Sequence, residues 1–318
     1  MSETHRHGAT PPRSHLAAAD QVRNWGRWGD DDEIGTLNLI TAEKRRDAAT
    51  LVRRGAVFSL ALPLGSGGPQ RGSLRSNPMH VMTRTGRDPE SINGLGDGSQ
   101  YTDDMVVLYL QSSTQWDSLA HVFYDGKLYN GFPAESVDND GARHCGIDRS
   151  HDRFVSRGVL LDIARLHDVT TLPAGHAISA DELDRAAEAA GVTVEEGDIV
   201  LVRTGLMATW HETGRWDAFY QPQPGLHYEV ATWLHERGVA AVAADNLMVE
   251  AMGVVDGVIC PLHMLALRDM GLCLGEFWDL EELAADCAND GVYEFMLVAQ
   301  ALPFVGAVGS PVNPLALK

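Results

Sequence analysis

Short apolar runs alternate with amphipathic stretches along most of the chain. Runs rich in Val, Leu, Ala and Ile and bounded by turn residues predict buried strands near 56–62, 105–110, 159–163, 198–204, 239–245 and 295–302, and a shorter one at 272–274. Stretches with helical periodicity predict helices near 42–54, 179–191, 226–237 and 261–270. Strands and helices interleave without strict alternation, and no repeat or linker separates them. The pattern predicts a mixed-sheet α/β fold.

Capping and turn residues mark the ends of these elements. Thr41 is placed to cap the first predicted helix, and Ser179 with Glu182 has the spacing of a capping box. Pro261 suits the first turn of its helix, and Gly271 closes it. Residues 64–104 contain so many Gly, Ser, Pro and Asn that they predict a long irregular insertion, of a kind that is often functional.

A row of polar residues follows the apolar run at 105–110. In an extended chain one face of this segment carries Gln111, Ser113, Gln115 and Asp117, whereas Trp116 points the other way. Burying such a row is costly unless the groups are paired, hydrated or bound to a ligand. His121 follows Asp117 by four residues. The segment therefore predicts a functional site.

Length and charge restrict the class of partner. The chain has 318 residues, 44% of them hydrophobic, which is enough for a substantial core in one large domain or two small ones. The net charge of −19 argues against nucleic acid and anionic membranes, because both attract basic surfaces. No apolar run reaches the roughly 18 residues that a membrane span requires. The expected partner is a small-molecule substrate.

The cysteines and the N-terminus favour a cytoplasmic protein. Cys145, Cys260, Cys273 and Cys287 lack CxxC spacing, which predicts reduced thiols in the core. The N-terminus has no apolar stretch typical of a secretory signal. We expect residues 1–24 to form a flexible arm, and the remaining residues, 25–318, to form one domain.

Several ionisable residues fall at predicted strand ends or helix starts, namely Asp117, His121, Asp245, His263 and Glu276. The unit that carries His263 and Glu276 is compact enough to bring both side chains to the polar row. Two carboxylates and two imidazoles suit a divalent ion such as Zn²⁺ or Mn²⁺, and equally suit acid–base catalysis near neutral pH. Each residue also has a structural alternative, such as a helix-lining histidine or an exposed glutamate, and spacing alone leaves both open.

The polar row resembles the signature of the putative cyclase family, which includes bacterial kynurenine formamidases and isatin hydrolases. The family pattern is H-x-G-T-H-x-D-x-P-x-H, and the chain reads Q-S-S-T-Q-W-D-S-L-A-H at the same spacing. Further segments that resemble the family lie at 28–38, 197–205, 263–276 and 309–314. The resemblance covers roughly residues 25 to 316.

The resemblance implies a three-layer β/β/α fold of the swivelling-domain type, with a mixed sheet that curls toward a barrel. It also implies a homodimer or homotetramer, and hydrolysis of a C–N bond in a small amide, formamide or cyclic amide. Carried over by position, Asp117, His263 and Glu276 are metal ligands and His121 moves the proton. Gln111 and Gln115 stand where the family has its two leading histidines.

The two glutamines weaken the expected metal site, because a neutral amide oxygen is a poorer zinc ligand than imidazole. We expect at most one divalent ion, Mn²⁺, Zn²⁺ or Mg²⁺, assisted by Gln111 or Gln115, and no organic cofactor. Without metal, the catalytic residues are Gln115, Asp117 and His121: Gln115, together with Gln111, would donate to a developing oxyanion, and His121, oriented by Asp117, would activate water. The alternatives are a lactone hydrolase, a dehydratase or cyclase, and a ligand-binding protein that has lost metal and activity.

Aromatic residues near the polar row indicate a planar or apolar substrate. Trp28, Trp116 and Phe123 are the candidate substrate contacts. Core packing is the commoner role of such residues and is the alternative for each of them.

Overall fold

A nine-stranded mixed sheet organises the computed structural model, which describes residues 14–88, 98–253, 255 and 257–318. The described strands are β1 (Val57–Ser59), β2 (Met79–Thr85), β3 (Thr102–Val107), β4 (Gln115–Asp117), β5 (Val137–Asp138), β6 (Gly141–Ala142), β7 (Val155–Asp162), β8 (Ala177–Ile178), β9 (Ile199–Arg203), β10 (Gly225–Leu226), β11 (Ala241–Ala244), β12 (Cys273–Glu276), β13 (Glu294–Val298), β14 (Gly309–Pro311) and β15 (Leu315–Leu317). The main sheet has the order β1-β15-β13-β7-β9-β11-β12-β4-β14 and curls into a half-barrel.

Helices lie between these strands. The α-helices are α1 (Ala19–Val22), α2 (Ala42–Ala49), α3 (Ile163–Leu166), α4 (Ala180–Ala190), α5 (Leu206–Thr213), α6 (Val230–Glu236), α7 (Pro261–His263) and α8 (Glu281–Asp290). A π-helical segment, Met264–Met270, continues α7 to Gly271. Short 3₁₀ turns occupy Ser14–Ala18, Gly35–Leu39, Tyr129–Gly131, Ala134–Ser136, Ile147–Ser150 and Asp217–Tyr220. Within the described residues, no helix is long and apolar enough to cross a bilayer.

The centre of the sheet is parallel and its flanks are antiparallel. Strands β7, β9, β11 and β12 run parallel, and β4 pairs antiparallel with β12. Strands β9, β11 and β12 are buried along their whole length, and β7 is buried from Gly158 onward, which explains why they read as continuous apolar runs. The mixed α/β fold predicted from this pattern is confirmed.

The pairing register between β12 and β4 determines which side chains lie on the same face as the polar row. Gln115 lies directly opposite Glu276, and Gly309 of β14 lies opposite Asp117. Residues opposite each other in an antiparallel pair point to the same face. Trp116 points to the other face, where it stacks on Phe154 with ring centroids 4.6 Å apart. The predicted alternation therefore holds for Gln115, Trp116 and Asp117.

The predicted buried strand at 105–110 is wrong. Its residues up to Val107 belong to β3, which pairs only with β2 among the described strands and is exposed along its length. A turn follows, in which the Ser112 amide donates to the Tyr109 carbonyl, so the chain does not stay extended up to β4. An apolar run has the same composition in a buried strand and in an exposed ribbon, and this run belongs to the ribbon.

Part of the predicted N-terminal arm packs on the domain. Residues 1–13 lie outside the described residues, whereas α1 follows a 3₁₀ turn and buries Val22 completely. The Asn24 side chain, also buried, donates to the Met270 carbonyl over 2.9 Å. Residues 19–24 are therefore held by the body of the protein, contrary to the expectation for this end of the arm.

Candidate metal and catalytic site

Side chains from β4, α7 and β12 converge at one place in the structure. Donor atoms of Asp117, His263 and Glu276 all lie within 4.8 Å of one another, and all three residues are buried. His263 Nε2 is 3.8 Å from Asp117 Oδ2 and 3.3 Å from Glu276 Oε1. The structure thus brings together the two pairs of residues that the sequence placed far apart.

Glu250 fixes His263, and sequence reasoning missed it. Its carboxylate accepts from the backbone amides of Leu262 and His263 over 2.9 and 3.1 Å, and so caps the start of α7. It also lies 2.5 Å from His263 Nδ1. Because Nδ1 contacts Glu250, the ring presents its other nitrogen, Nε2, to Asp117 and Glu276. Glu250 follows no strand or helix pattern that would have revealed this role.

Two groups of the cluster have raised pKa values. Burial, reinforced by the charge of Glu276, raises the pKa of Asp117 well above its ordinary value. Burial alone would lower the pKa of His263, but hydrogen bonds to Glu250 and Glu276 outweigh it and raise this pKa well above its ordinary value. A cation would relieve the repulsion between the carboxylates.

Gln115 occupies the space between the two carboxylates. Its Nε2 donates to Glu276 Oε2 over 2.6 Å and to Asp117 Oδ1 over 3.3 Å. Its Oε1 is buried and has no hydrogen-bond partner among the described residues. The orientation of a side-chain amide follows from its hydrogen bonds. Rotation of the Gln115 amide by half a turn would place Oε1, instead of Nε2, between the carboxyl groups of Asp117 and Glu276.

The rest of the polar row is also unsatisfied. Side-chain atoms that are buried without a hydrogen-bond partner in the described part of the chain include Gln111 Nε2, Ser112 Oγ, Ser113 Oγ and Asp117 Oδ2. Buried polar atoms are nearly always paired, so such a concentration indicates a site that binds a ligand.

The donor set fits one divalent ion. Two carboxylates and one imidazole are the number of protein ligands found at catalytic zinc sites, where a further position stays open for water or substrate. Asp117 Oδ2 is a free buried oxygen within this set. Gln111 is buried against Gly309, where a Cβ would meet its Nε2 at 2.5 Å. These residues fit a single ion.

His121 lies beside the cluster, at the edge of a cavity. Its Nε2 is 3.7 Å from Asp117 Oδ1, and its side chain is 21% exposed. Burial, followed by the positive charges of His263 and Arg75, lowers the pKa of His121 to about 3. The imidazole is therefore neutral near pH 7 and able to accept a proton.

The cavity measures about 260 Å³ and contains the accessible part of the site. His121, His263 and Glu276 form one wall, and the other lining residues are Gln70, Arg71, Ser73, Leu74, Arg75, Val122, Tyr220, Leu247, Met248 and Cys260. Residues 70–75 come from the insertion that the sequence predicted to be functional. A larger cavity of about 510 Å³ is lined by apolar, amide and hydroxyl side chains, so the chemistry favours the smaller one.

The three predicted substrate contacts lie elsewhere. Trp116 is completely buried and its indole donates to the Ala299 carbonyl, so it has a core position instead of a substrate contact. Trp28 stacks with the Arg27 guanidinium, and Phe123 is 42% exposed. Neither lines the cavity beside His121. Tyr220, which does line it, carries no signal of this role in the sequence.

Asp245 has a structural role. Its carboxylate accepts from Thr204 N, Thr204 Oγ1 and Gly205 N at 2.7–2.8 Å, which joins the ends of β11 and β9. Burial raises the pKa of Asp245 to about 6 despite these hydrogen bonds. Its position at a strand end therefore reflects packing between strands, not membership of the three-donor group.

Comparison with known proteins gives one strong match and several distant ones. A family model described as putative cyclase matches residues 48–251. A solved structure described as a novel cyclase is 41% identical, with a TM-score of 0.87, and the match covers 94% of this chain and 99% of that chain. None of the curated proteins searched matches.

Two isatin hydrolases share the fold at lower identity. Isatin hydrolase A from Ralstonia solanacearum is 20% identical, with a TM-score of 0.61, and the match covers 85% of this chain and 95% of that one. An isatin hydrolase bound to the product analogue thioisatinate is 19% identical, with a TM-score of 0.59, and the match covers 87% and 99%. These likenesses show a common architecture.

Proposed function

The chain belongs to the putative cyclase family, and we propose that it hydrolyses a C–N bond in a small amide, formamide or cyclic amide. One divalent ion, bound by Asp117, His263 and Glu276, assists the reaction. The observation that carries this proposal is the concentration of unsatisfied buried donors and acceptors beside a neutral histidine. Two solved structures of the same fold are isatin hydrolases, and isatin is itself a cyclic amide.

His121 moves the proton in this proposal. Its Nε2 takes a proton from the attacking water and returns it to the leaving nitrogen, so that amide and water yield a carboxylic acid and an amine. Its low pKa keeps the imidazole unprotonated before the reaction starts. A bound divalent ion would polarise the carbonyl and lower the pKa of the water.

The remaining groups hold the site in place. Glu250 orients His263, and the β4–β12 register holds Gln115 opposite Glu276. Apolar side chains that line the cavity, including Leu247 and Met248, favour a substrate with an apolar or planar body. Mn²⁺ or Mg²⁺ suits an oxygen-rich donor set better than Zn²⁺ does, and Gln115 Oε1 would add one more oxygen.

A ligand-binding protein without turnover is the second candidate. One observation favours it: the Gln115 amide already bridges the two carboxylates, as a cation would. In that case the cavity would bind a small molecule without cleaving it.

A substrate panel separates the two candidates. Protein purified without chelator is assayed with aryl formamides, cyclic imides, lactams and lactones, each with Mn²⁺, Zn²⁺ or Mg²⁺. The hydrolase proposal expects product release from an amide-type substrate, stimulated by one of the ions and abolished by chelator. Shifts in melting temperature without product would overturn it and support the binding protein.

A further inference from the structure

A second cluster of metal-binding side chains lies outside the cavity described above. It consists of His167, which follows α3, His176, which precedes β8, and Glu182 in the first turn of α4. Donor atoms of the three residues lie within 4.8 Å of one another. None of the three residues belongs to the proposed active site.

Both imidazoles face the same carboxylate oxygen. His167 Nε2 is 2.6 Å and His176 Nε2 is 2.7 Å from Glu182 Oε1. The other oxygen, Oε2, accepts from Ser179 N and Ser179 Oγ over 2.9 and 2.8 Å. Ser179 therefore fixes the carboxylate and leaves Oε1 available as a single, oriented ligand atom.

We propose that His167, His176 and Glu182 form a second metal site, for Zn²⁺ or a similar transition-metal ion. Two imidazoles and one carboxylate are a common zinc ligand set, and they leave one position for water. Imidazole ligands select against Mg²⁺ and Ca²⁺. Ligand distances of about 2.0–2.1 Å require the nitrogens and the oxygen to separate by about 0.6 Å. The side chains of His167 and His176 are 32% and 24% exposed, which leaves them room to do so.

A bound ion would link three segments that are otherwise joined by hydrogen bonds. His167 and His176 flank the loop between α3 and β8, and Glu182 anchors the start of α4. The ion therefore stabilises the loop between α3 and β8 and the start of α4, and it takes no part in turnover. Zinc binding at this site should raise the melting temperature.

The test is zinc stoichiometry, measured by competition with a chromophoric chelator on the untagged full-length protein. The wild type is expected to bind two ions, His176→Ala and His263→Ala one each, and the double variant none. In the wild type, excess Mg²⁺ should not displace zinc from the second site. His176→Ala should retain the catalytic rate of the wild type.

Two controls make the result specific. His211 pairs with a single carboxylate, Asp279, over 2.7 Å, so His211→Ala removes a paired imidazole without touching the cluster. The His5→Ala/His7→Ala variant removes any chelation by the N-terminal histidines. Both should bind two ions. If His176→Ala unfolds, His176→Gln keeps a hydrogen-bonding group at that position and is expected to weaken the second ion by at least about tenfold.

The two proposals fail in distinguishable ways. If zinc is lost only in His263→Ala, and His176→Ala and His176→Gln bind as many ions as the wild type with equal affinity, the second site does not exist. If zinc is lost only in His176→Ala and His263→Ala matches the wild type, the second site stands and the ion of the proposed active site is refuted.

Discussion

Gln115 is the residue of the polar row that contacts both carboxyl groups. Its amide nitrogen donates to Asp117 and to Glu276 without carrying a charge itself. A neutral amide holds a cation less firmly than an imidazole does. We therefore expect a glutamine at this position to bind an ion less firmly than a histidine would, while its amide supplies a hydrogen-bond donor to each carboxyl group.

Restoring the histidine should strengthen zinc binding. Gln115→His adds an imidazole to the three-donor group, and we expect the Kd for Zn²⁺ at this site to fall by at least about tenfold. Gln300→His is the control, since the Gln300 amide bonds to backbone groups of Phe154 and Ser150 and to none of the three donors, and its variant should bind zinc as the wild type does. Isothermal titration of both variants in the His176→Ala background measures this. Equal affinities for Gln115→His and the wild type would contradict the assignment.

His121 should affect turnover and not metal binding. His121→Ala removes the proton acceptor, and we expect kcat to fall by about 10²–10⁴-fold with an unchanged Kd for the ion. His151→Ala is the control, because His151 is exposed and contacts only the Asp148 carbonyl among the hydrogen bonds described for its ring. A His121→Ala variant with full turnover of an amide substrate would refute the proton-transfer role.

Metal binding should release protons. The raised pKa values of Asp117 and His263 mean that both groups keep their protons to a higher pH than usual, and a cation must displace any proton that they hold. Affinity is therefore expected to rise with pH and to be lost as pH falls. Calorimetry in two buffers of different ionisation enthalpy counts the protons, and Asp117→Asn should release fewer. An affinity independent of pH between about 6 and 8 would contradict this.

At the scale of elements, the sequence indicated the two segments that carry the candidate site. Spacing alone left the roles of Asp117 and His121 open, as it did those of His263 and Glu276, and the family resemblance supplied the expectation for both pairs. The strand register that joins the two segments could not be predicted, since β4 and β12 are separated by more than a hundred residues. Glu250 was missed for the same reason: its role depends only on the position of α7.

The exposed ribbon shows a second limit of the sequence pattern. The run that begins at Met105 was interpreted as a buried strand because apolar strands usually lie in the core. Met79 and Val81 of β2 face Val107 and Met105 of β3, so one face of the ribbon is apolar and exposed. The sequence pattern predicts that β3 is a strand, but it does not show whether another part of the protein covers its apolar face.

Gly275 should be essential for the placement of Glu276. A Cβ at this position would lie 2.6 Å from Ala243 Cβ and 2.8 Å from the Trp116 ring. Gly275→Ala should therefore lower the free energy of unfolding by about 1–3 kcal/mol through overpacking, and weaken ion binding as Glu276 shifts. In Gly65→Ala, the control, the new methyl group meets no described atom within 4 Å. Urea unfolding measures this. The crowding argument would be refuted if the free energy of unfolding were the same for Gly275→Ala, Gly65→Ala and the wild type.

For the molecule as a whole, the family resemblance implies a homodimer or homotetramer, and the apolar face of the ribbon is where we expect copies to meet. A two-stranded ribbon is marginally stable alone, and exposed apolar patches favour association. Val107→Lys should therefore reduce the mass measured by sedimentation velocity. Val106→Lys is the matched control, because Val106 lies opposite His80 on the other face. Equal masses for Val107→Lys and the wild type would exclude this face.

The most direct test of the site is a crystal structure of the protein with Mn²⁺, examined by anomalous scattering. We expect an anomalous peak bonded to Asp117, His263 and Glu276, with the Gln115 side chain turned so that Oε1 faces the ion. A map without a peak at this position, with Gln115 Nε2 still between the two carboxylates, would contradict a metal-dependent site.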